Sequence, residues 1–185
     1  MVFPSLETER LLLTELCADD EAAIFNLFSK PSVVEYYDLD AFSEHSQAAN
    51  LISLFKLRYK EQQGIRWAIR LKSSGQMIGT CGFNSWSSKM QNAVIGYDLL
   101  PEFWRQGYSV EAVRAIISTG FAGVLPCGEL HRIQADTIPG NNASEALLLR
   151  LGFKNEGLRR ECGYWKNNFH DLKCFGLLRS EFSET

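Results

Sequence analysis

The sequence has little of what marks a disulfide scaffold, a metal centre or a membrane span. Its five cysteines, Cys17, Cys81, Cys127, Cys162 and Cys174, are odd in number and scattered, with no C-x-x-C pair. They read as reduced thiols rather than as a framework of bridges. The three histidines, His45, His131 and His170, stand at no spacing to Cys, Asp or Glu that resembles a metal site, so no metal is expected. No apolar run approaches the roughly 18 residues a spanning helix needs, and Met1 to Glu9 lacks a positive segment followed by an apolar one. Neither secretion nor membrane insertion is expected, and with reduced thiols this points to the cytoplasm. Positive charge is not in excess either: 19 basic and 22 acidic side chains are interspersed, for a net charge of −3. A nucleic-acid partner is therefore disfavoured. Internal repeats, low-complexity tracts and linkers are missing too.

What is present suits one compact domain over residues 1–185, with 45% hydrophobic residues. A chain of this size buries roughly 70% of its unfolded surface and needs no staple. Residues 10–16, RLLLTEL, read as a first strand. Asp19 is placed to cap a helix through Ile24, Leu27 and Phe28 that Pro31 stops. Val33 to Phe42 has no clear period and reads either as a loop packing its rings on the core or as a wall of a substrate site. Ser46 opens a longer helix with a stripe of Ala48, Ile52, Phe55 and Tyr59, stopping near Gly64. Arg66 to Leu71 and Met77 to Phe83 form a hairpin about Lys72–Gln76; Gly79 and Gly82 predict a bulge or close backbone contact. Ser85 to Asn92 is polar and loop-like.

The organising stretch is Ile95 to Phe121, IGYDLLPEFWRQGYSVEAVRAIISTGF. Ile95, Tyr97 and Leu99 alternate as a half-buried strand, and Pro101 ends the ladder. From Gly107 onward Val110, Val113, Ile117 and Phe121 form one helical stripe, with Arg114 and Ser118 facing away. Between them lies Trp104-Arg105-Gln106-Gly107-Tyr108-Ser109. Gly107 permits close backbone approach, the first helical N–H groups have no partner within the helix, and Arg105 adds a cation at the rim. That combination suits a phosphate, although a lone glycine before a helix is also an ordinary tight turn.

Further on, His131 to Ile138 is a strand with Ile133, Ala135 and Thr137 on one face, ended by Pro139-Gly140. Asn142 and Glu145 form a capping box ahead of Ala146, Leu147, Leu148 and Leu151, and Gly152-Phe153 stops that helix. Lys154 to Arg179 holds two strands about a turn at Lys166-Asn167-Asn168, the last being Asp171 to Leu178. The order of elements predicts an α/β (mixed α+β) sheet with helices on its faces.

Two stretches carry a family resemblance. The turn resembles motif A of the GNAT acetyltransferases, whose Gln/Arg-x-x-Gly-x-Gly/Ala loop binds the acetyl-CoA pyrophosphate through backbone amides. Gly96-Tyr97, Phe103-Trp104, Gly107-Tyr108 and Glu111-Ala112 are similar to the branch that includes the ribosomal-protein N-terminal acetyltransferases. Trp104 stands at the Gln/Arg position, as in that branch, while Ser109 replaces the last small residue; its hydroxyl can cap the helix or touch a phosphate. Arg132 to Phe153 resembles motif B in the correct order and separation.

The resemblance implies a largely antiparallel twisted sheet with helices on both faces, and acetyl-CoA as cosubstrate. The strands ending at Leu99-Leu100 and at Ile138 part to leave a wedge for pantetheine. Leu99, Leu100, Arg105, Gln106, Gly107, Tyr108, Ser109 and Asn142 then line the cofactor, Asn142 also being readable as a plain cap. In that branch a Ser following the motif B Asn protonates the CoA sulfur, and that position is Ser144. The alternative is a small residue suited to a first helical turn. A Glu on the strand after Gly-Phe serves there as general base, and alignment puts Gly163 in its place. Glu161, two positions earlier, shares a strand face with Gly163 at about 6–7 Å. The amine proton goes to it or to water. Asp98, Glu102 and Glu111 are further carboxylates by location, Glu111 also being a first-turn residue favoured by the helix dipole. The expected activity is acetyl transfer to a primary amine, of a small molecule or a protein N-terminus, directly, since no Cys or Ser shows a His partner. A non-catalytic acyl-CoA-binding module is the rival.

Overall fold

One sheet, buried on both faces at its centre and largely exposed at one edge, is built from eight strands. In the computed structural model, which describes residues 2–183, these are β1 (Leu6–Glu7), β2 (Leu11–Glu15), β3 (Ile65–Leu71), β4 (Met77–Ser87), β5 (Asn92–Leu99), β6 (Arg132–Thr137), β7 (Lys154–Trp165) and β8 (Asn168–Leu178). They lie in the order β1-β2-β3-β4-β5-β6-β8-β7. Only β5 and β6 are parallel, joined by the crossover helix α4 (Tyr108–Phe121) as parallel neighbours must be.

Helices cover both faces. Leu13, Trp67, Phe83, Ile95 and Ile133 pack against α4 and α5 (Asn142–Arg150). Val113, Ile116 and Ile117 of α4 are fully buried, each such side chain contributing about 1.5–3 kcal/mol. The opposite face is covered by α1 (Glu21–Phe28) and α3 (His45–Lys60), with Ile24, Leu27, Phe28 and Ile52 packed on Ala68 and Met77.

The second face also buries an ion pair. Arg66 of β3 bonds Asp98 of β5, with side-chain exposures of 4% and 0%. Arg66 Nε donates to Thr80 Oγ1 at 2.9 Å, and Nη1 donates to Asn84 Oδ1 at 3.0 Å. Thr80 in turn donates to Asp98 Oδ2 at 2.8 Å. Every guanidinium nitrogen thus has a partner, the condition under which a buried charge is tolerated.

Several boundaries differ from the sequence expectation. The short β1 was not anticipated. Asp19 does not cap α1: Asp20 holds that position, and its carboxylate binds the Cys17 N–H and Arg70 instead. Pro31 does not stop α1, which ends at Phe28; it opens the short α2 (Pro31–Val34), where its missing N–H costs nothing. Helix α3 begins at His45, one residue before Ser46, because Glu44 and Gln47 form a capping box. It ends at Lys60 rather than near Gly64, with Gln62 taking the left-handed conformation (φ 55°). Ser85 to Asn92 is mostly strand, since Ser85, Trp86 and Ser87 pair with Val94, Ala93 and Asn92 and the Trp86 indole donates to Gln62 O at 2.5 Å. Strand β8 starts at Asn168, not Asp171. Lys166 and Asn167, both at positive φ, make a two-residue turn that carries pairing to the tip.

Removing one member of the buried pair leaves an uncompensated charge. Asp98→Ala is expected to lose about 3–5 kcal/mol in denaturant unfolding, whereas Arg66→Met with Asp98→Leu recovers most of it. A single variant as stable as wild type would show the pair to be solvated.

Candidate functional site

Strands β5 and β6 pair over three rungs, Asn92↔Arg132, Ala93↔Ile133 and Val94↔Gln134, and then part. Beyond that point β5 stays paired only to β4 as far as Leu99, and β6 only to β8 as far as Thr137. Their facing edges, Ile95–Leu99 and 135–137, are left with backbone N–H and C=O groups outside any ladder. Two buried side-chain atoms without a hydrogen-bond partner among the described residues belong to these same strand ends: Asp98 Oδ1 and Thr137 Oγ1. Buried polar atoms are seldom left so; Asp98 Oδ1 belongs to the Arg66 cluster on the α3 side, and Thr137 Oγ1 lies near the end of β6.

Tyr97 and Ser144 meet across the wedge. Tyr97 Oη lies 2.6 Å from Ser144 Oγ. Burial pushes the Tyr97 phenol well above its ordinary pKa, with the Asp98 charge adding to the rise and the Ser144 bond opposing it, so it is neutral at physiological pH. Ser144 sits in the first turn of α5, where its backbone N–H donates to Asn141 Oδ1 at 3.2 Å. Asn141, not Asn142, is therefore the cap. The expected capping box is absent: Glu145 instead binds Lys173 of β8 at 2.9 Å. Asn142 is the first helical residue and is exposed. Sequence reasoning read Tyr97 as an alternating strand residue and as part of the Gly96-Tyr97 resemblance, with no chemical role; its position opposite the motif B helix is a tertiary fact.

Past the wedge the chain turns through a 3₁₀ segment, Pro101–Phe103. The Trp104 indole donates to Leu99 O at 2.7 Å, stapling the turn to the end of β5. Leu99 and Leu100 are buried, the first in the α4-side core and the second in the α3-side core. Arg105 (φ 58°) and Gly107 (φ 84°) both take left-handed backbone. Gly107 is the N-cap of α4 and has no side chain to fill that end, so the first-turn amides from Tyr108 onward stay open. Ser109 lies one residue into the helix and does not cap it. Gln106 Nε2 donates to Glu102 O at 2.8 Å, bracing the loop from within.

The loop is braced from outside as well. Arg10, just ahead of β2, donates from Nε to Glu111 Oε2 at 2.7 Å and from Nη1 to Gln106 O at 3.0 Å. Glu111 also accepts from Thr8 Oγ1 at 2.6 Å and from the Arg10 N–H at 2.8 Å. Burial works against its charge, yet these bonds from Thr8 and Arg10 hold its carboxyl below the usual range. Glu111 is thus an anchor and not a free base.

The carboxylate expected beyond Gly152-Phe153 meets a different outcome. A Cβ on Gly163 would stand 2.0 Å from the Trp165 ring, which is stacked on His170. A side chain there would have to displace the Trp165 ring. Strand β7 loses register between Arg159 and Gly163, with Glu161 at φ 48° and its N–H given to Asp171 Oδ1 at 2.8 Å. The i, i+2 rule that placed Glu161 on the face of Gly163 does not hold through this bulge. The Glu161 side chain is exposed.

Open amides at a left-handed glycine, unpaired strand edges and the Tyr97–Ser144 hydroxyl pair fit acetyl-CoA, whose phosphates, amides and thioester need those three environments. Among the described residues no group of three or more His, Cys, Asp or Glu could hold a metal ion, and no helix is long and apolar enough to cross a membrane.

Comparison with known proteins agrees. Residues 10–154 match the family described as "Acetyltransferase (GNAT) domain". The "Uncharacterized N-acetyltransferase YoaA" of Bacillus subtilis is 36% identical over 178 residues, 96% of this chain and 98% of that one. A GNAT-family acetyltransferase structure from Bacillus anthracis superposes with a TM-score of 0.84 at 22% identity, covering 96% and 100% of the two chains. The ribosomal L7/L12 alpha-N-protein acetyltransferase RimL, solved with coenzyme A, does so with a TM-score of 0.81 at 21% identity over 95% and 98%. The chain belongs to the GNAT family and is an acetyl-CoA-dependent N-acetyltransferase.

Proposed function

We propose that the protein moves the acetyl group of acetyl-CoA directly to a primary amine, of a small molecule or a protein N-terminus, with Ser144 as the acid. The observation that carries this reading is the parting of β5 from β6 with Tyr97 and Ser144 bonded across it. Acetyl-CoA supplies a thioester, an activated acyl group with a thiolate to leave. The free edges of β5 and β6 receive pantetheine as an added strand, and the open turn at Arg105, Gln106, Gly107, Tyr108 and Ser109 takes the diphosphate, with Leu99 and Leu100 below it and Asn142 beside it. When the Tyr97 phenol donates to Ser144 Oγ, the serine O–H is left to point at the sulfur. The carbon–sulfur bond breaks as the carbon–nitrogen bond forms, the sulfur takes the Ser144 proton, and Ser144 recovers one through Tyr97 or water. The amine must arrive neutral, giving its proton to Glu161 or directly to water.

A covalent route is disfavoured by the thiols. Burial pushes Cys81 up to about 12 and Cys127 up to about 11, so neither is a thiolate at neutral pH. Ser144 has a phenol for a neighbour and no histidine. RimL acts, by its name, on a ribosomal-protein α-amine; a protein N-terminus here is one of two acceptor classes the site admits.

A panel of amines assayed by thiol release tests the activity. With a productive acceptor, Ser144→Ala is expected to lower kcat about 10²-fold with acetyl-CoA affinity little changed. Unaltered turnover would reduce Ser144 to a helix-start residue. Gly107→Val forces a β-branched side chain into left-handed backbone and should weaken acetyl-CoA binding strongly, while Arg105→Ala costs less because its charge is exposed and screened. The reverse order of affinities would sink the backbone cradle. For the proton of the amine, kcat/KM of Glu161→Gln over about pH 6–9 decides: an unchanged profile assigns it to water, and a loss confined to kcat assigns it to Glu161.

A further inference from the structure

The cradle has a side chain from far outside the turn standing over it. Arg10 is held on three sides: Nε on Glu111 Oε2 at 2.7 Å, Nη1 on Gln106 O at 3.0 Å, and its guanidinium plane over the Tyr108 ring, 4.3 Å from the centroid. The remaining nitrogen, Nη2, has its place fixed by these contacts. A Cβ built on Gly107 would stand 3.3 Å from it, so Nη2 overhangs the cap glycine where the open amides begin. The side chain is 41% exposed, reachable by a ligand while tied to the protein.

We propose that Arg10 is a direct ligand of the CoA diphosphate, donating from Nη2 to a phosphate oxygen that the amides of the Gly107 turn hold from the other side. The inference rests on the reading that this turn takes the diphosphate. Three points favour Arg10 over Arg105 as the cation that counts. Arg105 is exposed and has no ion pair among the described residues, so binding must order its whole side chain. Arg10 is already ordered, and a preorganised fork loses little on bonding. Its geometry also suits the task, because the contacts that hold Arg10 aim Nη2 over Gly107, whereas the Arg105 guanidinium is exposed. Glu111 offsets part of the Arg10 charge, so the gain is a directed, charge-assisted hydrogen bond of moderate size.

The rival role is a mere brace: Arg10 shapes the loop through Gln106 and Glu111 and never touches the ligand. Both roles lower CoA affinity when Arg10 is removed, but only a phosphate ligand releases a counterion on binding, so the salt dependence separates them. The test is calorimetric titration of CoA and of 3′-dephospho-CoA into wild type, Arg10→Ala, Arg10→Lys, Glu111→Gln and Lys72→Ala, at low and high salt. Lys72, ion-paired with Glu7 on the same side of the sheet, controls for loss of a nearby charge.

Arg10→Ala is expected to weaken both ligands about ten-fold and to flatten the salt dependence by about one ion. Arg10→Lys should fall between, Glu111→Gln should lose less with the wild-type salt slope, and Lys72→Ala should stay within about two-fold. Unchanged affinity in Arg10→Ala, or a loss with the salt slope intact, overturns the proposal. A loss for CoA but not for dephospho-CoA overturns it too, moving Arg10 to the 3′-phosphate. If Arg10→Ala does not fold, Arg10→Lys carries the comparison, since it keeps charge and stem and loses only the directed fork. Wild type binding neither ligand would overturn the underlying reading of the turn, a failure visible before any variant is made.

Discussion

Everything at this site follows from the parallel ladder between β5 and β6 ending after Val94. Each strand keeps its other neighbour, β4 or β8, to its end while the ladder between them stops. The divergence leaves several backbone groups outside any ladder, along with Asp98 Oδ1 and Thr137 Oγ1. A buried polar group left unpaired costs about 1–3 kcal/mol. The fold tolerates this because the apolar layers on both sides are well packed, with Trp67, Phe83 and Phe175 among the fully buried side chains. A ligand that supplies alternating N–H and C=O groups recovers what the sheet forgoes, which is the thermodynamic sense of a wedge in place of a continuous ladder.

The two faces of β5 divide the chemistry. Tyr97 points toward α5 and reaches Ser144, while Asp98, one residue on, points toward α3 and is fixed by Arg66 and Thr80. One strand therefore carries a hydroxyl pair on one side and a paired charge on the other, with the splayed edge between them. Alternation with period two makes this possible over two consecutive residues.

Much of the fold was legible in the sequence because its signals are local. The stripe of α4, the glycine turn, the 166–167 hairpin and the close approach at Gly82, where a Cβ would lie 2.0 Å from Ile65 O, all follow from residues near one another in the chain. The failures have a common cause. Asn141 and Asn142 are equally good caps by type, and only the fold selects the first. Glu161 obeys strand alternation on paper, but the bulge after Arg159 depends on pairing with β8. Trp165 closing over Gly163, and Thr8 and Arg10 gripping Glu111, are contacts no periodicity encodes. Tyr97 was read correctly as a strand residue, and its partner lay 47 residues away.

The acceptor remained illegible for a different reason. The cofactor side is built from strand ends and a helix start, elements whose geometry the sequence pattern dictates. Connecting segments carry no such pattern. Tyr36, just after α2, donates to Gly140 O at 3.2 Å, and Lys166 at the tip of the β7–β8 hairpin donates to Val34 O at 2.9 Å. These two bonds tie the segment after α1 to the turn ahead of α5 and to the hairpin tip. Loops of this kind vary freely while the scaffold beneath stays fixed. The stretch Val33 to Phe42, which offered no period to read, packs rings such as Tyr37 and Phe42 on Phe28 and bonds Gly140 through Tyr36. Of its two readings, core packing is the one these contacts support, and rings turned inward leave the backbone and hydroxyls of the same segment to other contacts.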